Sequence, residues 1–253
     1  MTNITQTKLD VRIYEDRKSM GAAAAEKFAK EVTALLKTKD EINVVFAAAP
    51  SQNEFLAALD YENIDWNRIN AFHMDEYIGL AADAPQGFGN FLKHRLFDKF
   101  NFKSVNYLNG NADDIAAECD RYTALLNQHK VDMVCMGIGE NGHLAFNDPP
   151  VADFEDMHAV KVVELDEVCR QQQVNDGCFA TLDEVPKEAL TLTIPALLSA
   201  TYINCVVPGP TKAEAVKNTL QAEISTENPA TILRNHTNAV LFLDRDSSRL
   251  LNS

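Results

Sequence analysis

Two short stretches carry the residues able to move protons. One is Met74-Asp-Glu-Tyr-Ile-Gly-Leu80, where the carboxyl groups of Asp75 and Glu76 close an apolar run, Ile69 to Met74. The other is Gly137-Ile-Gly-Glu-Asn-Gly-His-Leu-Ala-Phe-Asn147, followed by Asp148, Pro149 and Pro150. It follows a second apolar run, Val131 to Met136. A carboxylate suits a base that carries a proton between neighbouring carbons, and an imidazole suits acid–base work near neutral pH. Open α/β sheets present such groups at the carboxyl ends of their strands.

Simpler readings apply to both stretches. Glycine tolerates positive φ, so Gly137, Gly139 and Gly142 also fit a plain tight turn. Acid pairs at strand ends are often solvated caps. Dinucleotide binding is excluded: Gly137, Gly139 and Gly142 match G-x-G-x-x-G, but Pro149 and Pro150 stand where that fingerprint needs a helix.

These residues must be held by regular elements, and the hydrophobic pattern supplies them. Ser19 to Lys37 reads as a helix with Phe28, Val32, Leu35 and Leu36 on one face. Ile42 to Ala49 is a continuous apolar run, as in a buried parallel strand, with a short helix at 53–59 behind it. Further strands are expected at 69–74, 131–136, 157–165, 189–194, 202–207 and 239–243. Amphipathic helices are expected at 88–100, 113–128 and 212–220, with Asp113 or Asp114 capping the second of these. Strands alternating with helices predict an α/β fold: a single domain over 1–253, doubly wound, its mostly parallel sheet covered by helices on both faces.

Composition narrows the function classes. The chain has 253 residues, long enough for a substantial core. Its net charge of −14, from 37 acids against 23 bases, argues against a nucleic-acid partner. A local positive pocket for a small anion remains compatible with that balance. The five cysteines are odd in number and lack C-x-x-C spacing, which points to reduced thiols in a cytoplasm. No signal peptide is expected in the first twenty residues, and no run is long enough to span a membrane. His73, His94, His129, His158 and His236 are scattered, so no metal is expected.

Together, Met74 to Leu80 and Gly137 to Asn147 resemble the glucosamine-6-phosphate deaminase/isomerase family. The related 6-phosphogluconolactonases share the G-x-G-x-[DN]-G-H turn. Echoes at Tyr107 to Asn111, Val185 to Thr191 and Gly209 to Ala213 extend the resemblance over nearly the whole chain. Ala-Phe-Asn after the histidine points to the deaminase branch. The resemblance implies a cofactor-independent enzyme acting on a small sugar phosphate, with a homo-oligomer compatible. It makes Asp75 the carrier of a proton between C2 and C1, and His143 the group that opens the sugar ring. Asn141 and Asp148 would orient the imidazole. Glu76, Gly139, Gly142, Ser51, Arg170 and Lys212 would face the substrate, Lys212 on its phosphate.

The chain departs from that family in three places. Asp148 stands where a glutamate is usual, one methylene shorter, which calls for a backbone shift. The glycine-rich phosphate loop is replaced by Ala47-Ala-Ala-Pro-Ser-Gln-Asn53, where Pro50 offers no N–H. The family's Ala-Arg-Phe-Phe segment is replaced by Gln171-Gln-Gln-Val-Asn-Asp-Gly177, with Arg170 just upstream. Two other functions fit the same pattern, a phosphosugar lactonase using His143 to activate water and a non-enzymatic sugar-phosphate sensor.

Overall fold

The computed structural model describes residues 9–251. The N-terminal reading lies outside the described residues where it covers 1–8. The strands in chain order are β1 (Asp10–Tyr14), β2 (Ile42–Phe46), β3 (Ile69–His73), β4 (Asp75–Tyr77), β5 (Ser104–Asn106), β6 (Met133–Met136), β7 (Val160–Glu164), β8 (Glu188–Leu192), β9 (Tyr202–Val207) and β10 (Ala239–Asp244). The helices are α1 (Arg17–Leu35), α2 (Asn53–Ala58), α3 (Phe88–Leu92), α4 (Ile115–Gln128), α5 (Glu167–Asn175), α6 (Ile194–Leu198) and α7 (Ala213–Gln221).

Seven strands form one parallel sheet in the order β1-β10-β9-β6-β2-β3-β5. Its central strands are mostly apolar because both faces are covered. Ile42, Val44 and Phe46 of β2 join a cluster with Met20, Ala24 and Phe28 of α1 and Phe55 of α2. Val45, between them, joins the opposite cluster with Tyr122 and Leu126 of α4 and Val216 of α7. Cys135 of β6 and Phe242 of β10 fall on the first side, Val134 and Leu241 on the second. Each such apolar side chain contributes about 1.5–3 kcal/mol by leaving water. The doubly wound architecture is as expected.

Beyond it lies a small antiparallel sheet, β4-β8-β7, which the pattern did not suggest. The expected strand at 69–74 divides at Met74: β3 stays in the parallel sheet and β4 pairs with β8, Asp75 opposite Thr191. The expected helix at 88–100 is one turn of α3 followed by a wider, π-helical turn over Lys93–Phe97. The strand expected at 189–194 stops at Leu192, because Thr193 caps α6 by accepting from Ala196 N.

Strand order reverses between β2 and β6. From β2 the chain proceeds outward to β3 and β5, whereas β6 returns to the other side of β2. Such a reversal leaves a crevice beyond the carboxyl ends of the two strands, where open α/β sheets bind ligands. The loop after β2 holds Ser51, the loop after β6 holds His143, β3 leads into Asp75, and β9 leads toward Lys212.

Candidate active site

Asp75 opens β4 and is buried, 7% exposed. Its backbone is fixed by His73, at the end of β3. Leu108 N–H donates to His73 Nε2 at 3.0 Å, so the ring proton sits on Nδ1 and is donated to the Asp75 carbonyl at 2.9 Å. Burial pushes the His73 imidazole below its ordinary value, which keeps it neutral in this role. Burial, and then the neighbouring Glu76 charge, push the Asp75 carboxyl well above the usual carboxylate range. A carboxyl so placed is a stronger base than a solvated one.

The turn after β6 is built around the His143 ring. A Cβ on Gly139 would lie 2.1 Å from His143 Cε1, so only glycine lets the backbone pass the ring. Gly142 adopts φ +86°, donates to the Gly139 carbonyl and accepts from Ala230 N–H. Ala145 also lies in the left-handed region, at φ 49°, a strained position for a residue with a side chain. Asn147, fully buried, donates to the carbonyls of Leu144 and Leu192, and Thr191 accepts from Phe146 N–H. The small sheet therefore pins the His143 loop and Asp75 to the same strand, β8.

His143 Nδ1 faces two acceptors, Asn141 Oδ1 at 2.9 Å and Asp148 Oδ1 at 2.8 Å. Nδ1 must therefore carry the proton, leaving Nε2 as the free nitrogen. Asn141 Nδ2 donates to Asp148 Oδ1 at 2.8 Å, closing the triangle. Asp148 thus reaches the ring despite its shorter side chain. Burial alone would push its carboxyl up, but His143, Asn141 and the nearby Cys169 outweigh burial and hold it below the usual value. Its second oxygen, Oδ2, is buried with no hydrogen-bond partner among the described residues.

Asp75, His143, Ser51, Gly139 and Lys212 line one cleft, walled by Phe88 and Phe146. Those two rings stack at 5.4 Å. The cleft encloses about 60 Å³. At its far end Lys212 is buried; burial pushes its ammonium below the ordinary value, while Asp176 and Glu140 pull the other way. Ser51 Oγ accepts from Gln52 Nε2 at 3.1 Å. Gln172, Gln173 and Asp176, at the end of α5, complete the wall.

Three expected contacts are not made in the cleft. Glu76 points the other way, as successive residues of a strand must, and its carboxylate accepts from the N–H groups of Tyr77, Phe88 and Gly89. Gly142 is a turn residue and does not line the cleft. Arg170 spends its guanidinium on the carbonyls of Leu182 and Val185, because its place on α5 turns it toward the following loop.

The residues missed in sequence reading are Gln172, Gln173 and Asp176. The run Glu167–Asn175 has little apolar periodicity, and its helical signal is the cap Asp166, which accepts from Cys169 N–H. The same helix brings Cys169 beside Asp148. His143, Asp148 and Cys169 offer ligand-type atoms within 4.8 Å of one another, although histidine spacing in the sequence implied no such group.

Comparison with known proteins finds relatives over nearly the whole chain. The family model described as glucosamine-6-phosphate isomerases/6-phosphogluconolactonase matches residues 15–242. A glucosamine-6-phosphate deaminase of Bacillus cytotoxicus is 34% identical over 242 residues, 96% of this chain and 89% of its own length. A solved monomeric glucosamine-6-phosphate deaminase superposes with a TM-score of 0.86 at 30% identity, covering 96% of this chain and 100% of that one. A 6-phosphogluconolactonase of Thermotoga maritima shares the fold, with a TM-score of 0.75 at 22% identity over 93% and 99% of the two chains.

Proposed function

This chain belongs to the family of glucosamine-6-phosphate isomerases and 6-phosphogluconolactonases, and from that premise we propose that it is a deaminase of glucosamine 6-phosphate. The reaction takes the amino-sugar phosphate and water to a ketose phosphate and ammonia. His143 Nε2 moves the proton that opens the ring. Asp75 takes the C2 proton and returns it to C1 while an amine proton passes to O1, which turns the open aldehyde into a C2 imine. Water hydrolyses that imine and ammonia leaves. No step calls for a cofactor.

The observation that carries this reading is the shared cleft of Asp75 and His143, with Nδ1 of the imidazole held by Asp148 and Asn141. A lactonase needs the histidine but has no use for a buried carboxyl beside it. Lys212 and Ser51 take the phosphate, with the amides of Gln172 and Gln173 where the family has an arginine. No helix of the described residues is long and apolar enough to cross a membrane. A cytoplasmic setting suits the five free cysteines.

Ammonia release from glucosamine 6-phosphate and galactosamine 6-phosphate, set beside hydrolysis of 6-phosphogluconolactone, tests the proposal. Release from the gluco epimer with no lactone hydrolysis is expected. Lactone hydrolysis without ammonia release would overturn it.

A further inference from the structure

We propose that His143, Asp148 and Cys169 form a site for a borderline-soft divalent cation of the Zn²⁺ type, and that its occupancy silences the base at His143. The three side chains supply one nitrogen, one oxygen and one sulfur ligand within 4.8 Å of one another, and all three are buried. Zinc takes this mixture at ligand distances of about 2.0–2.3 Å, which at tetrahedral angles sets the ligand atoms roughly 3.4–3.7 Å apart. His143 Nδ1 and Asp148 Oδ1, now at 2.8 Å, must part by roughly 0.6–0.9 Å to admit the ion.

Three further features suit a cation. Asp148 Oδ2 is buried and lacks a hydrogen-bond partner, a lone acceptor that a cation would satisfy. Asn141 Nδ2 already orients the carboxylate from outside, as metal ligands generally require. Cys169 is fixed at the first turn of α5 by Asp166, which accepts from its N–H at 2.7 Å. Charge also balances: a dication with one thiolate and one carboxylate is neutral, which suits a buried position. Water takes the fourth position.

The consequence follows from the ring's two nitrogens. Without the ion, Nδ1 carries the proton and Nε2 is free to accept one. With the ion on Nδ1, the neutral ring must carry its proton on Nε2, so no basic nitrogen faces the cleft. The carboxylate is already ionised, and the imidazole only exchanges one N–H for the other. Binding therefore releases one proton, from the Cys169 thiol. The silencing rests on the role proposed for His143; the binding does not.

The test uses Co²⁺ as a spectroscopic probe and Zn²⁺ in competition with it. The wild-type protein should show a thiolate-to-cobalt charge-transfer band that Zn²⁺ displaces. In Cys169→Ser the band should vanish. Zn²⁺ affinity should fall by at least about 100-fold, more than the roughly 10–100-fold typical of losing an outer partner. Cys169→Ala provides the same comparison should the serine variant not fold. Turnover is read for each protein with and without Zn²⁺, relative to its own metal-free rate, and only the wild type should be inhibited. An absent band in the wild type, or unchanged Zn²⁺ affinity in the variants, overturns the site. Zn²⁺ binding that depends on Cys169 but leaves turnover intact overturns the silencing. If His143→Gln is inactive in that same assay, the role of His143 survives that outcome.

Discussion

Asp75 is held where its charge is costly. Burial and the Glu76 charge raise its pKa well above that of a free carboxyl, about 3.9. The folded protein therefore binds a proton that the unfolded chain has lost, so stability declines as pH rises between the two pKa values. Asp75→Asn removes that decline. Its melting temperature should exceed that of the wild type at pH 7, and the gain should shrink to nothing below about pH 4; a variant less stable at neutral pH would contradict the assignment. As a base, Asp75 must be ionised, so kcat/KM should fall on the acid side at a pH above the ordinary carboxylate range. At the other end of the cleft, His143→Gln should lower turnover by about 10²–10⁴-fold. It should leave binding of an open-chain substrate analogue largely intact, which calorimetry can check; equal loss of both would make His143 a binding residue. Both side chains were legible in the sequence because each follows an apolar run that ends in unusual company. Glu76 and Arg170 were misjudged for a local reason: neighbours in sequence point to opposite faces of a strand or to different sides of a helix.

Two of the elements that line the cleft set different tolerances. The β6 turn has none at Gly139, where a methyl group would collide with the His143 ring while Gly139 N–H is tied to the His143 carbonyl at 3.0 Å. Gly139→Ala should displace the ring and cost turnover on the order of 10²-fold, the usual penalty for a misplacement of about 1 Å. Activity close to wild type would mean that the ring is not held as described. The α5 wall must be more permissive. A cleft of about 60 Å³ is below the roughly 300–1,000 Å³ of ligand pockets, and this wall is where we expect it to widen for a hexose phosphate. Hydrogen exchange at the amides of Gln172 and Gln173 should be fast in the free protein and slow with ligand; protection that ligand leaves unchanged would place the entrance elsewhere. The buried strands β2, β3, β6 and β9 were readable as largely apolar runs. The small sheet was not, since β4 spans three residues and its pairing with β8 depends on chain more than a hundred positions away, Tyr77 opposite Ala189 and Asp75 opposite Thr191.

At the scale of the molecule, an acidic chain must receive an anion. The net charge of −14 repels a phosphate at long range, and Asp176 sits beside the cleft, so recognition rests on a buried cation at short range. On the proposed reading Lys212 fills that place, where its ammonium would pair with phosphate as a point charge. Lys212→Ala should weaken binding of glucosamine 6-phosphate while barely changing any weak binding of glucosamine, as calorimetry with both sugars would register. Equal effects on the two would mean that the phosphate lies elsewhere. The doubly wound sheet and its crevice followed from the alternation of elements along the chain. The closing of the cleft by α5 did not, because a glutamine-rich helix shows its purpose only once its neighbours are in place.

The central claim is that the Asp75 carboxyl carries a proton between C2 and C1 of an amino-sugar phosphate. Turnover of glucosamine 6-phosphate in deuterated water, followed by the deuterium content of the ketose at C1 and of recovered substrate at C2, tests it most directly. The wild type should place deuterium at C1 of the product, and Asp75→Asn should exchange neither position while remaining folded and binding the sugar. Exchange at C2 that persists in a folded Asp75→Asn protein would contradict the account.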